Sequence, residues 1–322
     1  MKFVILGGGA LGSILAAHLI EARQDVTLVA RGQRAAWLRA HGVRLTGLSS
    51  IALACPVETD PSRVREADVF INTVKTYDTA AALAAFANLR PSMAFSVQNG
   101  VMKEEALAAC FGEAALVGCM ADFSGELCDD GSVSFTRNVC LHLGEPAGGH
   151  SSRVGTLAET LDAAGIVTRQ SDSVMEVVWS KYVGWVGLML LAILTRQRTA
   201  VYASDPDSAR ILARITREMC QLAAARGMRL RDGSPLPAVS IASGTEDEAV
   251  EVVLRTGAGF AANAPGHRMS SLQDADRSRP LEVEETAGHA LAMARAAGLT
   301  LPTLATCYHL AVAVHRAHLA GG

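Results

Sequence analysis

Apolar residues in the first half of the chain come as short runs between polar turns, and in the second half they recur at helical spacing. KFVILG (residues 2–7) is a run that ends in glycine, as a buried strand would. The stretch GGGALGSILAAHLIEARQ that follows puts its apolar residues on one helical stripe. The rhythm continues with strands DVTLVAR (25–31), ADVFINTVK (67–75) and MAFSVQNG (93–100), the last two separated by a helix, DTAAALAAFANL. AALVGCMADF and SVSFTRNVCLHLGE supply further strands, the second after the turn CDDGS. EPAGGHSSR (145–153) is a loop, followed by a helix to about Ala164. This is the βαβ order of a doubly wound sheet, whose ligands bind beyond the carboxyl ends of the strands.

From about residue 171 strand-like runs give way to long alanine- and leucine-rich helical patterns. SDPDSARILARITREMCQLAAARGM has a capped start, apolar helical spacing and a glycine stop. SRPLEVEETAGHALAMARAAGLTLP reads as a helix with Ser278 as N-cap, Pro280 at its first position and Gly298 just past its end. The pattern therefore predicts an α/β N-terminal Rossmann-type domain (1–170) joined to an all-α C-terminal domain (171–322).

Composition narrows the function. The 322 residues suffice for two cores, and with half of them hydrophobic and 19% charged the chain reads as soluble and globular. A formal charge of −3 gives no general draw toward nucleic acid or an anionic membrane. The 7 cysteines lie far apart with no C-x-x-C pair. That pattern points to free thiols in a reducing compartment rather than to disulfides or zinc. His315 and His318 form the one close histidine pair and lack a third ligand nearby in sequence, so no metal is expected. The N-terminal segment is interrupted by three glycines, unlike a signal peptide, and the apolar residues 182–194 are too few for the roughly 20 that span a bilayer. A cytoplasmic protein with neither membrane nor nucleic-acid partner is expected.

Four features carry chemistry. Gly7, Gly9 and Gly12 meet the G-x-G-x-x-G pattern between strand and helix, with Ala10 and Leu11 at the helix start. The glycines serve a tight turn, close approach of a pyrophosphate and helix–strand packing, and the helix N-terminus faces the phosphates. Where an NAD-binding chain has an acidic residue to hold the ribose 2′-OH, this one has Arg31, with Arg34 close behind. An arginine pairs with a 2′-phosphate, so the expected cofactor is NADPH. Lys75 and Asn99 lie at the carboxyl ends of two strands and are taken as site residues. Finally, Lys181 is the one charged residue in VVWSKYVGWVGLMLLAILT (177–195). On its own it reads either as a lysine snorkelling to the surface or as a desolvated proton donor.

With those residues in place the chain resembles the ketopantoate reductase (2-dehydropantoate 2-reductase) family. The resemblance spans almost the whole length. It rests on GGGALG with Arg31, TVK (73–75), QNG (98–100), WSK (179–181), and SSLQD followed by LEVEETAG. It implies a Rossmann-type domain, a helical domain, and NADPH-dependent reduction of a 2-oxo acid, with a place in pantothenate biosynthesis. It further implies that Arg31 and Lys75 contact the 2′-phosphate end of NADPH and that Asn99 sits by the nicotinamide and substrate. Lys181 matches the general acid, Ser270 a substrate-binding serine, and Glu282 the glutamate that engages the reacting oxygen. On this resemblance the lysine protonates a carbonyl oxygen as hydride arrives at carbon.

The chain departs from the family at three positions. The lysine's helix has Trp185 and Met189 where the family carries substrate-facing asparagines, and His267 where it carries another. Trp185 and Met189 are thus candidate substrate contacts of large, apolar kind, and an alternative substrate is a bulkier 2-oxo acid or ketone; ordinary core packing of the two is the competing reading. A non-catalytic NADP-binding regulator is the alternative from another class, and joint retention of Asn99, Lys181, Ser270 and Glu282 speaks against it. The partner expected is a small-molecule 2-oxo acid or ketone, with a homodimer as the assembly suggested by analogy with other helical second domains.

Overall fold

The computed structural model describes residues 1–233 and 235–320, and only the backbone of 318–320, so the His318 side chain of the expected pair lies outside the described residues. The chain divides into two compact units, Met1–Met175 and Glu176–Gly322. The division falls later than the residue 170 expected from sequence. The Val174 side chain packs against Gly118 and Gly144 of the first unit, at positions where a Cβ on either glycine would clash with it.

The first unit opens with β1 (Lys2–Leu6), α1 (Ala10–Glu21), β2 (Asp25–Val29), α2 (Gly32–His41), β3 (Val43–Gly47), β4 (Ile51–Leu53) and β5 (Val57–Glu58). It continues with β6 (Val69–Asn72), α3 (Thr79–Ala84), β7 (Met93–Ser96), α4 (Lys103–Phe111), β8 (Gly118–Leu127), β9 (Val133–Gly144), α5 (Ser152–Ala163) and β10 (Thr168–Gln170). β5-β2-β1-β6-β7 form a parallel sheet, with β1 central. Successive side chains of a strand point to opposite faces. Phe3, Ile5, Val69 and Ile71 accordingly join a core with α1, while Val4, Leu6 and Phe70 join a second core with Leu83 and Leu107. Burial on both faces is why these strands read as unbroken apolar runs.

The doubly wound pattern expected for all the strands stops at β7. β8 and β9 form an antiparallel hairpin closed by the CDDGS turn, where Gly131 has φ +84°. They belong to a second, mixed sheet ordered β10-β9-β3-β4. The short strands β4, β5 and β10 carried too few residues to register as periodic runs, and β3, with Arg44 and Thr46 interrupting its apolar residues, showed no apolar run. The helix expected over DTAAALAAFANL shortens to α3, because Phe86 and Leu89 turn back into the core under 3₁₀-type bonds from Phe86 N–H to Leu83 O and from Leu89 N–H to Phe86 O.

The second unit is helical: α6 (Val174–Thr195), whose first turn straddles the division, α7 (Thr199–Tyr202), α8 (Pro206–Ala225), α9 (Ala238–Ala242), α10 (Glu246–Asn263), α11 (Ser270–Asp276), α12 (His289–Ala296) and α13 (Pro302–Ala320). α6 is 22 residues long, longer than its uncharged stretch 182–194, and long and apolar enough by composition to span a bilayer. However, 78% of its most apolar window is buried within the protein, which marks a core helix. Asp205 caps α8 by accepting from the Ser208 N–H, with Pro206 at the first position, and Thr245 and Glu248 form a reciprocal capping box on α10.

The helix expected to begin at Ser278 does not. Ser278 has φ +49° and closes α11, its N–H bonding to Ala275 O while the Arg279 N–H bonds to Asp274 O. Pro280 then follows a helix end, where it is as much at home as at a helix start. Regular structure resumes only as a π-helical turn over Glu284–Gly288, leading into α12.

Candidate active site

The glycine loop joins β1 to α1. Gly7 has φ +111°, and a Cβ there would lie 2.7 Å from Thr73 Oγ1. A Cβ on Gly12 would lie 2.0 Å from the Gly7 carbonyl oxygen. Both glycines are demanded by packing. Gly9 differs: it is exposed, its φ is −71°, and a Cβ there would meet nothing within 4 Å. The loop is pinned from behind and open in front, at the N-terminus of α1 where the N-cap residue, Gly9, has no side chain to cap Ala10 and Leu11. That is the form a pyrophosphate cradle takes, so these residues fit a dinucleotide.

Arg31 sits at the N-cap of α2, just past β2, and its guanidinium pairs with Asp78 at 2.9 Å. The Asp78 N–H in turn donates to the Lys75 carbonyl at 3.0 Å, so Arg31 and Lys75 are brought to one edge of the loop. Arg31 is 83% exposed, so its pairing is weak and exchangeable for a phosphate. Arg34 does something else. Its guanidinium donates to the carbonyls of Gly8 and Gly131, both at 2.6 Å, and to Ser13 Oγ at 2.9 Å, and lies 4.7 Å over the Trp37 ring. Burial lowers its pKa from the ordinary value. It braces the glycine loop from inside, a role that residue type and spacing alone could not distinguish from phosphate binding.

Asn99 follows β7 in a turn where Gly100 has φ +84°. A buried polar network fixes that turn. Gln98 Nε2 donates to Val74 O at 2.6 Å and to Thr79 Oγ1 at 2.7 Å, and Ser96 Oγ donates to Gln98 Oε1 at 3.0 Å. Gln98 thereby ties the Asn99 turn to the segment carrying Lys75. Lys103, in the first turn of α4, also holds it by donating to the Gln98 carbonyl at 2.9 Å. Sequence reasoning noticed neither Gln98's part nor Lys103.

In the helical unit Lys181, Trp185 and Met189 succeed one another along α6, and at 3.6 residues per turn they spread over about 80° of its surface. Lys181 is half-buried, whereas Trp185 and Met189 are 7% and 1% exposed. Tyr182 donates to the Thr286 carbonyl at 2.8 Å, and the Thr286 hydroxyl reaches Met189 Sδ at 3.4 Å and also the Glu282 carbonyl. One residue, a turn beyond Glu282, thus touches α6 on both sides of Trp185. Glu282 itself is set by its neighbours: Leu281 and Val283 are buried, and the Leu281 N–H donates to His315 Nδ1 at 3.1 Å. Burial, with the Glu282 and Glu284 charges beside it, pushes the Glu285 carboxyl up. Ser270 is exposed at the first position of α11. His267, three residues before it, is engaged by Thr199: Oγ1 and Nδ1 are 2.9 Å apart, and the Thr199 N–H donates to the His267 carbonyl. Among the described residues no group of three or more His, Cys, Asp or Glu could hold a metal.

Two family models match the chain. The model described as ketopantoate reductase PanE/ApbA covers residues 3–148, and that for the C-terminal part of the same proteins covers 173–315. The chain belongs to the ketopantoate reductase family. The 2-dehydropantoate 2-reductase of Archaeoglobus fulgidus is 28% identical over 87% of this chain and 86% of its own. The PanE/ApbA family ketopantoate reductase of Ralstonia eutropha superposes with a TM-score of 0.84 at 23% identity, covering 99% of this chain and 100% of that one. D-mandelate dehydrogenase, solved with NADH and anilino(oxo)acetate, has the same TM-score at 18% identity and covers 99% of each chain. As a ketopantoate reductase family member the chain is an NADP-dependent oxidoreductase. The Rossmann-type half with its open glycine loop, and the helical half, are the parts such an enzyme needs.

Proposed function

We propose that this family member reduces a 2-oxo acid to the 2-hydroxy acid, with ketopantoate to pantoate as the first conversion to test. Bound NADPH supplies the hydride; the chain's residues do the rest. Gly7, Gly9, Ala10, Leu11 and Gly12 cradle the pyrophosphate, and Arg31 and Lys75 hold the 2′-phosphate. Asn99 orients nicotinamide and substrate, and Ser270 holds the substrate. Lys181 gives a proton to the carbonyl oxygen as the carbon is reduced, and Glu282 engages that oxygen and the ammonium. The reading assigns the cofactor and catalytic roles to Met1–Met175 and Glu176–Gly322 respectively, and a cytoplasmic homodimer completes it. The scattered spacing of the seven cysteines, with no C-x-x-C pair, supports a reducing compartment.

The observation that carries this reading is the tie between α6 and the Glu282 segment through Thr286. It supports the reading because Tyr182 follows Lys181 directly and Thr286 lies one turn after Glu282, so two segments about a hundred residues apart in sequence adjoin within the helical unit. The reading asks Lys181 to act as a general acid, which requires a positioned side chain that carries a proton to the oxygen.

A second reading, a bulkier and more apolar 2-oxo acid or ketone, is favoured by Trp185. Met189 supports it less, since its sulfur and its carbonyl are taken up by Thr286 and Ser271 within the unit. Following NADPH and NADH oxidation against ketopantoate and a graded series of alkyl and aryl 2-oxo acids tests both. Ordinary turnover of ketopantoate upholds the first reading, and turnover of bulky substrates alone upholds the second. NADPH binding without turnover of any carbonyl compound refutes both in favour of a regulator.

A further inference from the structure

Behind Asn99 lies a buried ion pair that the proposed reaction does not use. Lys103 and Glu104 occupy the first turn of α4, with side chains only 4% and 9% exposed and 3.8 Å between Lys103 Nζ and Glu104 Oε1. Buried lysines are rare, and this one is costly to desolvate unless its donors are met. Two of them are: Nζ donates to the Gln98 carbonyl at 2.9 Å and to the Cys119 carbonyl at 2.6 Å. Gln98 immediately precedes Asn99, and Cys119 lies in β8, so the ammonium bridges the exit of β7 to the neighbouring strand. The Cys119 N–H bonds to the Glu104 carboxylate, whose Oε2 is buried with no hydrogen-bond partner among the described residues.

The ammonium is therefore shared between two carbonyls and one carboxylate. Because Oε1 stands 3.8 Å from Nζ, beyond hydrogen-bond reach, an ionised Glu104 would pull the ammonium toward itself and lengthen its bond to the Gln98 carbonyl, a pull that protonation would remove. Burial is the dominant influence on Glu104 and raises its pKa to about 7, against the pull of Lys103. The other charge acting on it is Glu105, also on α4, which raises it further. From β8 and the β7 exit the pair meets the backbone of Cys119 and Gln98.

We propose that Lys103 and Glu104 are positioning residues for the reductase, the Lys103 ammonium holding the Gln98–Asn99 turn and the Glu104 carboxyl setting how firmly it is held. The effect on catalysis rests on the reading of Asn99 given under the proposed function; the effect on the turn does not.

The test follows the backbone amide resonances of Asn99 and Gly100 in the NADPH-saturated protein from pH 5.5 to 8.5, beside kcat/KM for the 2-oxo acid it turns over. In the wild type both amides shift with a midpoint near 7, and kcat/KM falls several-fold across the same range. Glu104→Gln abolishes both transitions, and Lys103→Met raises KM about tenfold with no transition. Should Lys103→Met not fold, Glu104→Gln decides alone. Amides that do not titrate in the wild type, or that titrate equally in Glu104→Gln, overturn the proposal. Amides that behave as expected in a protein that reduces no 2-oxo acid uphold the positioning device and refute the functional reading instead.

Discussion

Alanine at two glycines of one loop should give opposite results. At Gly12 a Cβ would stand 2.0 Å from the Gly7 carbonyl oxygen and 2.6 Å from Thr73 Oγ1. The first contact is backbone on a loop that Thr73 pins by donating to the Leu6 and Gly7 carbonyls, so the helix must move away from β1. Overpacking of that kind costs about 1–3 kcal/mol or more. For a unit of this size that lowers Tm by several degrees, at about 2–4 °C per kcal/mol. At Gly9 the Cβ meets nothing within 4 Å and φ is −71°, a conformation alanine adopts freely. Reduced freedom of the unfolded chain favours alanine by about 0.4–1 kcal/mol, while its poor standing as an N-cap costs a similar amount. Stability should stay within about 1 kcal/mol of wild type. The methyl nevertheless fills the space the pyrophosphate must approach, and loss of that approach should weaken NADPH at least about tenfold, or 1.4 kcal/mol. Thermal unfolding and NADPH fluorescence titration on Gly9→Ala and Gly12→Ala read the two quantities separately. A Gly9→Ala protein that binds NADPH as the wild type does would refute the assignment of this space to the phosphates.

Three further predictions follow from the same structure. Arg31→Ala should change stability by less than about 1 kcal/mol, since its ion pair is exposed, yet cut the preference for NADPH over NADH at least tenfold; Arg34→Ala should instead cost about 2–4 kcal/mol by stripping donors from Gly8, Gly131 and Ser13. Paired melting and cofactor titrations separate the two, and an equal effect on cofactor preference would undo the distinction. Lys181→Ala should leave NADPH affinity unchanged and lower kcat by about 10²–10⁴, so undiminished turnover would remove it as the acid. Glu104, with its pKa raised from 4.5 to about 7, keeps in the folded state a proton that the unfolded chain releases. Its contribution is full below pH 4.5 and is lost as pH rises through 7, lowering stability by up to about 3 kcal/mol across that window. Denaturant melts from pH 4.5 to 8 should show this decline and its absence in Glu104→Gln.

The clearest sequence signals were those whose chemistry is local. A buried parallel strand has to be apolar throughout, and a glycine loop has to spare a Cβ where backbone meets backbone; both constraints act within a few residues. The strands 2–7, 25–31, 67–75 and 93–100 and the glycine loop were accordingly readable. Where two local rules conflicted, reading failed. Ser278 and Pro280 suit a helix start as well as a helix end, and only the left-handed φ of Ser278 and the bonds back to Asp274 and Ala275 show which it is. The margins of the second sheet were hidden for another reason. β4 and β10 have only three residues each, and β5 at the edge of the first sheet has two, too few for any period to register.

Residue types and local spacing thus determined the cofactor half, its glycine loop and the apolar helix with one lysine. Tertiary structure decided what sequence spacing cannot express, namely which distant groups share a hydrogen bond. It turned Arg34 inward as a brace while leaving Arg31 exposed, because only one of the two lies over Trp37 within reach of the Gly8 and Gly131 carbonyls. It joined α6 to the Glu282 segment through Thr286, and set Lys103 behind Asn99. Each is a contact between elements, and its energy depends on geometry and burial that arise only once the chain has packed.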